Sequence, residues 1–183
     1  MVKFYGNTFS FNVDWNTVTF AYLNRYPNPY ASHVQSADTI EHKFDPETKT
    51  LKIVRLYKKI NSAPSWSSVF LKNNSAYIME EISVCFETQT LETKQRNITH
   101  TRLLVVEDSL KITSEIDQIN KEFVTSCNSE GRMFSKFGYG LGSRIEGFSL
   151  KRIKENFNKS RKGLTYAIEV LKEKRRLSGT AQL

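Results

Sequence analysis

Bulky apolar and polar residues alternate along most of the chain, which is the spacing of β-strands. The alternation from Val2 to Phe11 predicts a first strand. Asp14 suits the N-cap of a short helix that continues to about Tyr26, where the following prolines stop it. Short connections, such as a turn at Asp45–Thr48, favour an antiparallel meander over βαβ crossovers. About six further strands are predicted, at His33–Phe44, Thr50–Ile60, Ala76–Glu87, Leu91–Thr101, Leu103–Ile112 and roughly Ile116–Ser126.

The spacing becomes helical in the last long stretch, Arg144–Leu177. It predicts one amphipathic helix of about 33 residues and roughly 50 Å. A polar stripe runs beside the apolar one, because Arg152, Asn156 and Lys159 recur at i, i+4 and i+7 and stack one turn above another. Two interpretations stay open: the three side chains converge on one anion, or their stems cover the core while their heads reach water. The apolar stripe consists of Ile153, Phe157, Leu164, Ile168 and Leu171.

Strands followed by one long helix are typical of an α+β fold. We predict a curved antiparallel sheet that grips the C-terminal helix and encloses a hollow. Residues 1–183 are interpreted as one domain with its core at about 2–177, since no internal boundary or repeat interrupts them. Five of the eight glycines lie in Gly131–Gly147, and we expect this segment to be an irregular connection that crosses the sheet and enters the helix.

An apolar segment, Asn61–Leu71, interrupts the strand pattern. Two interpretations are equally open for it. Either it packs down as a plug of the core, or it leaves water as a lid that contacts a membrane. The residues that give it this character are Pro64, Trp66, Val69, Phe70 and Leu71.

The net charge of +8 is concentrated in the predicted helix. Residues 144–177 contain 11 Lys and Arg against 4 Asp and Glu, a net +7, so the rest of the chain is close to neutral. A basic helix on a neutral body indicates an anionic partner, either a phospholipid surface or a nucleic acid. The run Lys172–Arg176 resembles a nucleic-acid patch, although cations also suit the C-terminal end of a helix.

Several other classes of protein are disfavoured. No run of 18 apolar residues could span a membrane, and the N-terminal region lacks the pattern of a cleaved targeting peptide. Cys85 and Cys127 have neither metal-site spacing nor the pattern of a disulfide framework. Without GxSxG, HExxH or suitably spaced histidines, no enzyme activity, cofactor or metal is predicted, and a lipid hydrolase is the weak alternative.

A series of short motifs occurs along the chain: Asn24–Tyr30 (NRYPNPY), His33-Val34, Arg55-Leu56, Pro64-Ser65-Trp66, Arg96-Asn97, Glu155-Asn156 and Lys159-Ser160-Arg161. Together these motifs resemble the PRELI-like domain family from about Val2 to Leu171. The resemblance implies a seven-stranded START-like helix-grip fold that carries one phospholipid between mitochondrial membranes. It also implies residence in the intermembrane space, peripheral on the inner membrane, and a small twin cysteine-x-nine-cysteine helical-hairpin protein as partner.

The RYPNPY segment is most similar to the phosphatidic-acid branch of that family, which supplies cardiolipin synthesis, whereas the phosphatidylserine branch has a shorter KYPN form. The resemblance implies a headgroup site made of Arg25, His33, Lys59, Arg152, Asn156 and Lys159. Such cations are costly beside an apolar hollow unless they face an anion, and a phosphate monoester is nearly dianionic.

The sequence departs from the family at three positions. Arg152 stands where a lysine is familiar, Phe148 replaces a tryptophan and Gly147 replaces an aspartate, so we expect altered packing where the helix begins. The alternatives kept beside a phosphatidic acid carrier are phosphatidylserine transfer by the same fold, a basic nucleic-acid-binding protein, and an adaptor whose main role is to hold its partner. As partners we predict a phospholipid ligand, an anionic membrane surface and the small helical-hairpin protein, and we predict no nucleic acid.

Overall fold

The computed structural model describes residues 2–60, 75–102, 104–116, 122–135 and 142–180. Seven strands and two helices are joined in the predicted order. The helices are α1 (Trp15–Leu23) and α2 (Gly142–Thr180), with a short 3-10 turn at Pro29–Ala31. The strands are β1 (Val2–Phe11), β2 (Val34–Asp45), β3 (Thr50–Ile60), β4 (Ser75–Cys85), β5 (Thr90–Asn97), β6 (Leu104–Ile116) and β7 (Phe123–Ser135).

All seven strands form one antiparallel sheet in the order β1-β7-β6-β5-β4-β3-β2. Strands β2 to β7 are therefore a meander, and β1 closes the far side against β7. The two helices contact the sheet and each other. This arrangement confirms the predicted curved antiparallel sheet with a long C-terminal helix.

The segment around Gly131 differs from its prediction. It belongs to β7, which runs from Phe123 to Ser135, and α2 begins at Gly142. Glycine suits this strand position because the Phe157 ring of α2 packs against it. A Cβ there would be 3.1 Å from ring carbons and 2.9 Å from Asp108 Oδ1. Glycine inside a strand often marks such a close approach rather than a loop. Tyr5 of β1 stacks on the same ring, with centroids 5.4 Å apart.

The end of α1 is also earlier than predicted. Asp14 caps the helix as expected, since its Oδ1 accepts a hydrogen bond from the Thr17 amide at 2.8 Å. The helix ends at Leu23, and the Asn24 amide donates back to Phe20 and Ala21 carbonyls. Residue 26 precedes a proline, which disfavours the helical conformation there. This early stop places Arg25 in the connection between helix and sheet.

Among the described residues, one hydrophobic core cluster lies between α1, the second half of α2 and one end of the sheet. The predicted apolar stripe of α2 is confirmed, because Ile153, Leu164 and Ile168 are buried. Full burial of each such side chain contributes about 1.5–3 kcal/mol. Beside Leu164 and Ile168, the buried residues of this cluster are Trp15, Val18, Ala21, Tyr22, Ile53, Ile82, Val84, Leu91, Ile112 and Cys127.

Candidate functional site

A row of polar residues crosses the concave face of the sheet, which the helices cover. Register pairs Arg55 of β3 with Glu80, then Gln95 and Asp108, and ends at Gly131 of β7. These residues share a face with buried Ile53 and Ile82, because side chains alternate along a strand. Apart from Glu80 and Gly131, the row keeps partial exposure, so this end of the sheet is less tightly covered than the core end.

The first part of the site is a buried ion pair between Arg25 and Glu80. The Arg25 side chain is 4% exposed and that of Glu80 is 0% exposed, with Nη2 2.7 Å from Oε1. The guanidinium also donates from Nη1 to the Tyr22 carbonyl at 2.8 Å and from Nη2 to the Tyr57 hydroxyl at 3.1 Å. It lies 3.8 Å from the centroid of the Tyr22 ring. Arg25 is therefore paired within the protein, whereas the predicted headgroup site includes it as a cation that faces a phosphate.

Glu80 is held by several donors at once. Its carboxylate accepts hydrogen bonds from the hydroxyls of Tyr22 and Tyr57 and from the Gln95 amide nitrogen. Burial opposes ionisation of Glu80, but the Arg25 guanidinium and these hydroxyls outweigh it, so the pKa of Glu80 lies below its usual value. The pair is fully compensated, and removing one partner would leave a buried charge unpaired.

The connection after α1 is fixed from the side of α2. Asn28 donates from its amide nitrogen to the Arg25 carbonyl at 2.6 Å, and its Oδ1 accepts from the Tyr30 amide at 3.0 Å. A Cβ at Gly163 of α2 would lie 3.0 Å from that Oδ1. The predicted polar stripe thus continues as a close approach of helix to loop, and the RYPNPY motif positions Arg25 through Asn28.

The second part of the site is a cationic cluster, formed by His33, Lys59, Arg152 and Lys159. His33 lies just before β2, and its carbonyl accepts a hydrogen bond from the Ile60 amide at 2.8 Å, beside Lys59 of β3. Burial, together with the charges of Lys59, Lys159 and Arg152, lowers the pKa of His33 to about 4. A charge shifts a pKa appreciably only from nearby. Cations of β3 and α2 therefore act together on one imidazole, which is neutral at neutral pH.

The members of the cationic cluster differ in burial. Lys59 and Arg152 are partly buried, whereas Lys159 is exposed. Burial lowers the pKa of Arg152 from its usual value, and Glu155 partly opposes this. Asn156 lies on the same edge of α2, one turn from Arg152, and is exposed. Lys59 Nζ is 5.7 Å from the Tyr57 ring centroid. Tyr57 thus lies between the Arg25–Glu80 pair and the cationic cluster.

Asp108 is a further member of this region and is not among the predicted residues. It is partly buried on β6, next to Gly131 and opposite Gln95. Burial raises the pKa of Asp108 to about 6, and Lys59 partly counteracts the rise. Its signal in the sequence is weak, since one acidic residue in a strand is visible but its face and its cross-strand neighbours are not.

Several predicted features fall outside the described residues. These are the lid residues Pro64, Trp66, Val69, Phe70 and Leu71, and the side chains at Gly147 and Phe148. Both cysteines are free thiols in the part of the chain that is described.

The basic run at the end of α2 is partly used to hold the helix. Arg175 donates from Nη1 to the Thr17 hydroxyl of α1 at 2.7 Å, and Arg176 pairs with Glu173 at 2.8 Å. These contacts favour the interpretation of Lys172–Arg176 as a helix end packed on α1. Neither α1 nor the described length of α2 has an apolar stretch that could cross a membrane.

Comparison with known proteins gives the family of this chain. The model of the PRELI-like family matches residues 16–174. The chain belongs to the PRELI-like family. Its relatives include the Protein ups1 homolog of Schizosaccharomyces pombe, which is 36% identical over 86% of this chain and 90% of that protein. Protein UPS1, mitochondrial, of Saccharomyces cerevisiae is 35% identical over 96% of this chain and 98% of that protein. Human PRELI domain-containing protein 1, mitochondrial, is 32% identical over 93% of this chain and 77% of that protein.

The fold of this PRELI-like protein also occurs without sequence similarity. The crystal structure of TTHA0849 from Thermus thermophilus superposes with a TM-score of 0.58 at 10% identity, covering 92% of this chain and 98% of that one. The shared feature is the START-like combination of an open curved sheet and a long C-terminal helix.

Proposed function

We propose that this protein carries phosphatidic acid between the outer and inner mitochondrial membranes and so supplies cardiolipin synthesis. The observation that carries the proposal is the cationic cluster, in which the charges of Lys59 on a strand and of Lys159 and Arg152 on a helix all act on the His33 imidazole. Membership of the PRELI-like family supports lipid transfer rather than enzymatic chemistry. Relatives named as mitochondrial support the compartment. Residence in the intermembrane space, peripheral on the inner membrane, belongs to the same proposal.

The cluster offers the groups that a phosphate monoester requires. Lys59, Arg152 and Lys159 supply positive charge, and charge-assisted hydrogen bonds to phosphate are about twice as strong as neutral ones. Neutral His33 donates one ring N–H, and Asn156 donates from its amide without adding charge. Partial burial strengthens each contact, because the local dielectric is below that of water.

Arg25 remains part of the proposed headgroup site in a modified role. Its Nη atoms are bonded to Glu80, Tyr57 and Tyr22, and the Tyr57 ring lies beside Lys59. We assign Arg25 two roles: it holds Tyr57 in place beside Lys59, and it adds positive electrostatic potential to the cluster. For direct contact with a phosphate, the guanidinium would have to bind Glu80 and the phosphate at the same time. This is costly for a buried pair.

The acyl chains belong in the space between the concave face and the first half of α2. Each buried methylene contributes about 0.8 kcal/mol, so a two-chain lipid does not leave through water at a useful rate. We retain two predictions here: a lid at Pro64, Trp66, Val69, Phe70 and Leu71, which opens at the membrane, and a twin cysteine-x-nine-cysteine hairpin partner.

Phosphatidylserine is a second candidate ligand, because Asp108 near Lys59 offers a carboxylate to an ammonium group. Native mass spectrometry of the purified protein, followed by extraction of the bound lipid, identifies the headgroup. We expect phosphatidic acid. Recovery of phosphatidylserine alone would mean that phosphatidylserine, and not phosphatidic acid, is the ligand. Intact lipid after incubation would exclude a hydrolase.

Charge reversal tests the cluster. We expect Lys159→Glu and Arg152→Glu each to reduce transfer of phosphatidic acid between liposomes by at least tenfold, with an unchanged far-UV circular dichroism spectrum. Lys94→Glu is the matched control, since this exposed lysine lies on β5 and undergoes the same change of charge. Equal transfer by all three variants would remove the helix residues from the site.

A further inference from the structure

Asp108 is the carboxyl group that the proposed headgroup site does not use. It lies on the concave face of β6, and its Oδ1 packs closely beside Gly131 and the Phe157 ring of α2, since a Cβ at Gly131 would be 2.9 Å from Oδ1 and 3.1 Å from ring carbons. On the described residues it forms neither a hydrogen bond nor an ion pair. This differs from Glu80, two strands away in the same polar row, which accepts several hydrogen bonds.

The charge of Asp108 conflicts with a bound phosphate. Lys59 acts electrostatically on both Asp108 and His33, so the carboxyl group and the cationic cluster share this lysine. A dianionic phosphate beside Lys59 would repel an ionised carboxylate in a partly buried site. Two anions that cannot both stay charged accept a proton on one of them.

We propose that Asp108 belongs to the headgroup site and takes up a proton from water when a phosphate monoester binds, so that its neutral carboxyl group donates a hydrogen bond toward the phosphate. This inference rests on the proposed function and specifies it. In the empty protein the ionised carboxylate offsets part of the charge of Lys59. In the loaded protein the proton removes the repulsion. An ammonium-bearing headgroup would instead keep Asp108 ionised.

The surroundings of Asp108 allow this proton to be assigned. Gln95 of β5 and Gly131 of β7 are its cross-strand neighbours, the Phe157 ring of α2 packs beside it, and Lys59 of β3 is the charged group that acts on it electrostatically. Between pH 5.5 and 7.5 the imidazole of His33, with a pKa of about 4, stays neutral. Glu80, whose pKa is below its usual value, stays ionised. Asp108, with a pKa of about 6, titrates within this range.

Calorimetry of the full chain with short-chain phosphatidic acid measures the proton directly. Titrations at pH 7 in buffers of different ionisation enthalpy give the number of protons taken up, and Asp108→Asn is compared with the wild type. Because the phosphate itself exchanges protons, the difference between the two proteins is the readout. We expect the wild type to take up about one proton more and its affinity to gain up to tenfold per pH unit toward pH 6 relative to the variant. At pH 7.5 the variant should bind more tightly.

The exposed Asp38→Asn variant is the control for the loss of one carboxylate and should match the wild type. Equal proton uptake by the wild type and Asp108→Asn would overturn the role of Asp108 while leaving the carrier function intact. Weaker binding of short-chain phosphatidylserine by Asp108→Asn, with unchanged binding of phosphatidic acid, would show a carboxylate that selects an ammonium. If the wild type binds no phosphatidic acid, the proposed function fails and this inference fails with it.

Discussion

Glu80 changes the interpretation of Arg25 from a free ligand to one half of a buried pair. Both side chains are almost without exposed surface, and their remaining hydrogen-bonding capacity is directed to Tyr22, Tyr57 and Gln95. A buried pair with satisfied neighbours contributes more to a defined arrangement than to net stability. Here that arrangement fixes the position of Tyr57, whose ring centroid is 5.7 Å from Lys59 Nζ.

Loss of one member of this pair should be costly. We expect Glu80→Gln to lower the free energy of unfolding by about 3–5 kcal/mol, because Arg25 would keep a buried charge without its counterion. Glu81→Gln, on the next residue and exposed, should change it by less than about 0.5 kcal/mol. Urea unfolding at pH 7 measures both, and equal midpoints would show that Arg25 finds another partner.

Asp108 should affect stability in the opposite direction. Its folded-state pKa of about 6 lies above the usual 3.8, so the folded protein binds the extra proton and loses stability as pH rises from about 4 through 6. Asp108→Asn removes that loss. We expect the variant to be more stable than the wild type at pH 7.5, by up to ~3 kcal/mol, and nearly equal to it at pH 4. Chemical unfolding at both pH values tests this, and a wild type that is the more stable at pH 7.5 would refute it.

At the scale of elements, α2 is placed on the sheet by a missing side chain in β7. Phe157 packs on Gly131 and stacks on Tyr5, while Asn28 packs on Gly163 one and a half turns later. Each contact requires a residue without a Cβ, which is Gly131 in the strand and Gly163 in the helix. These contacts bring α2 close to the sheet at Gly131 and close to the connection after α1 at Asn28.

Filling the strand position should lift the helix. We expect Gly131→Ala to destabilise the protein by about 1–3 kcal/mol, because its Cβ would meet the Phe157 ring at 3.1 Å. Gly6→Ala in the neighbouring β1 is the matched control, since its nearest atom would be 3.9 Å away. Adding Phe157→Leu should recover part of the loss. Thermal unfolding of the wild type, Gly131→Ala, Phe157→Leu and the double variant measures the coupling, and additive effects would argue against a direct contact.

The order and type of these elements follow from the sequence. Strands β1 and β3 begin and end where alternation predicts, and the apolar stripe of α2 is buried as its spacing requires. The prediction fails at Gly131, because a glycine that admits a ring from another element has the same letter as one in a loop. Local pattern does not encode which distant side chain approaches.

The site follows from the sequence only in part. Helical spacing alone aligns Arg152, Asn156 and Lys159, and alternation alone puts Arg55, Tyr57 and Lys59 on one face of β3 without deciding that this face is the inner one. Glu80 and Asp108 depend on the register between strands, which brings residues far apart in the chain into one row. Without that register, the counterion of Arg25 and the carboxyl group beside Lys59 are not predictable.

At the scale of the whole molecule, the exposed charge and the proposed headgroup site lie on the same helix but on different sides. Segment 144–177 holds a net +7 of the total +8. Arg152 and Lys159 act electrostatically on His33, whereas Lys151 and Lys162, eleven residues or about three turns apart, share an exposed side. This separation allows one side of α2 to approach an anionic membrane while the other holds a headgroup.

Membrane association and headgroup binding should therefore be separable. We expect Lys151→Gln/Lys162→Gln to weaken binding to anionic liposomes by about 1 kcal/mol per cation at low salt, with the effect shrinking at high salt. Its binding of short-chain phosphatidic acid should stay at the wild-type level, because neither lysine belongs to the cationic cluster. The control Lys52→Gln/Lys94→Gln removes the same charge from exposed strand positions and should keep both activities. Liposome flotation and calorimetry measure the two steps independently. Equal membrane loss in both double variants would mean that net charge, rather than this side of α2, attracts the protein to the membrane.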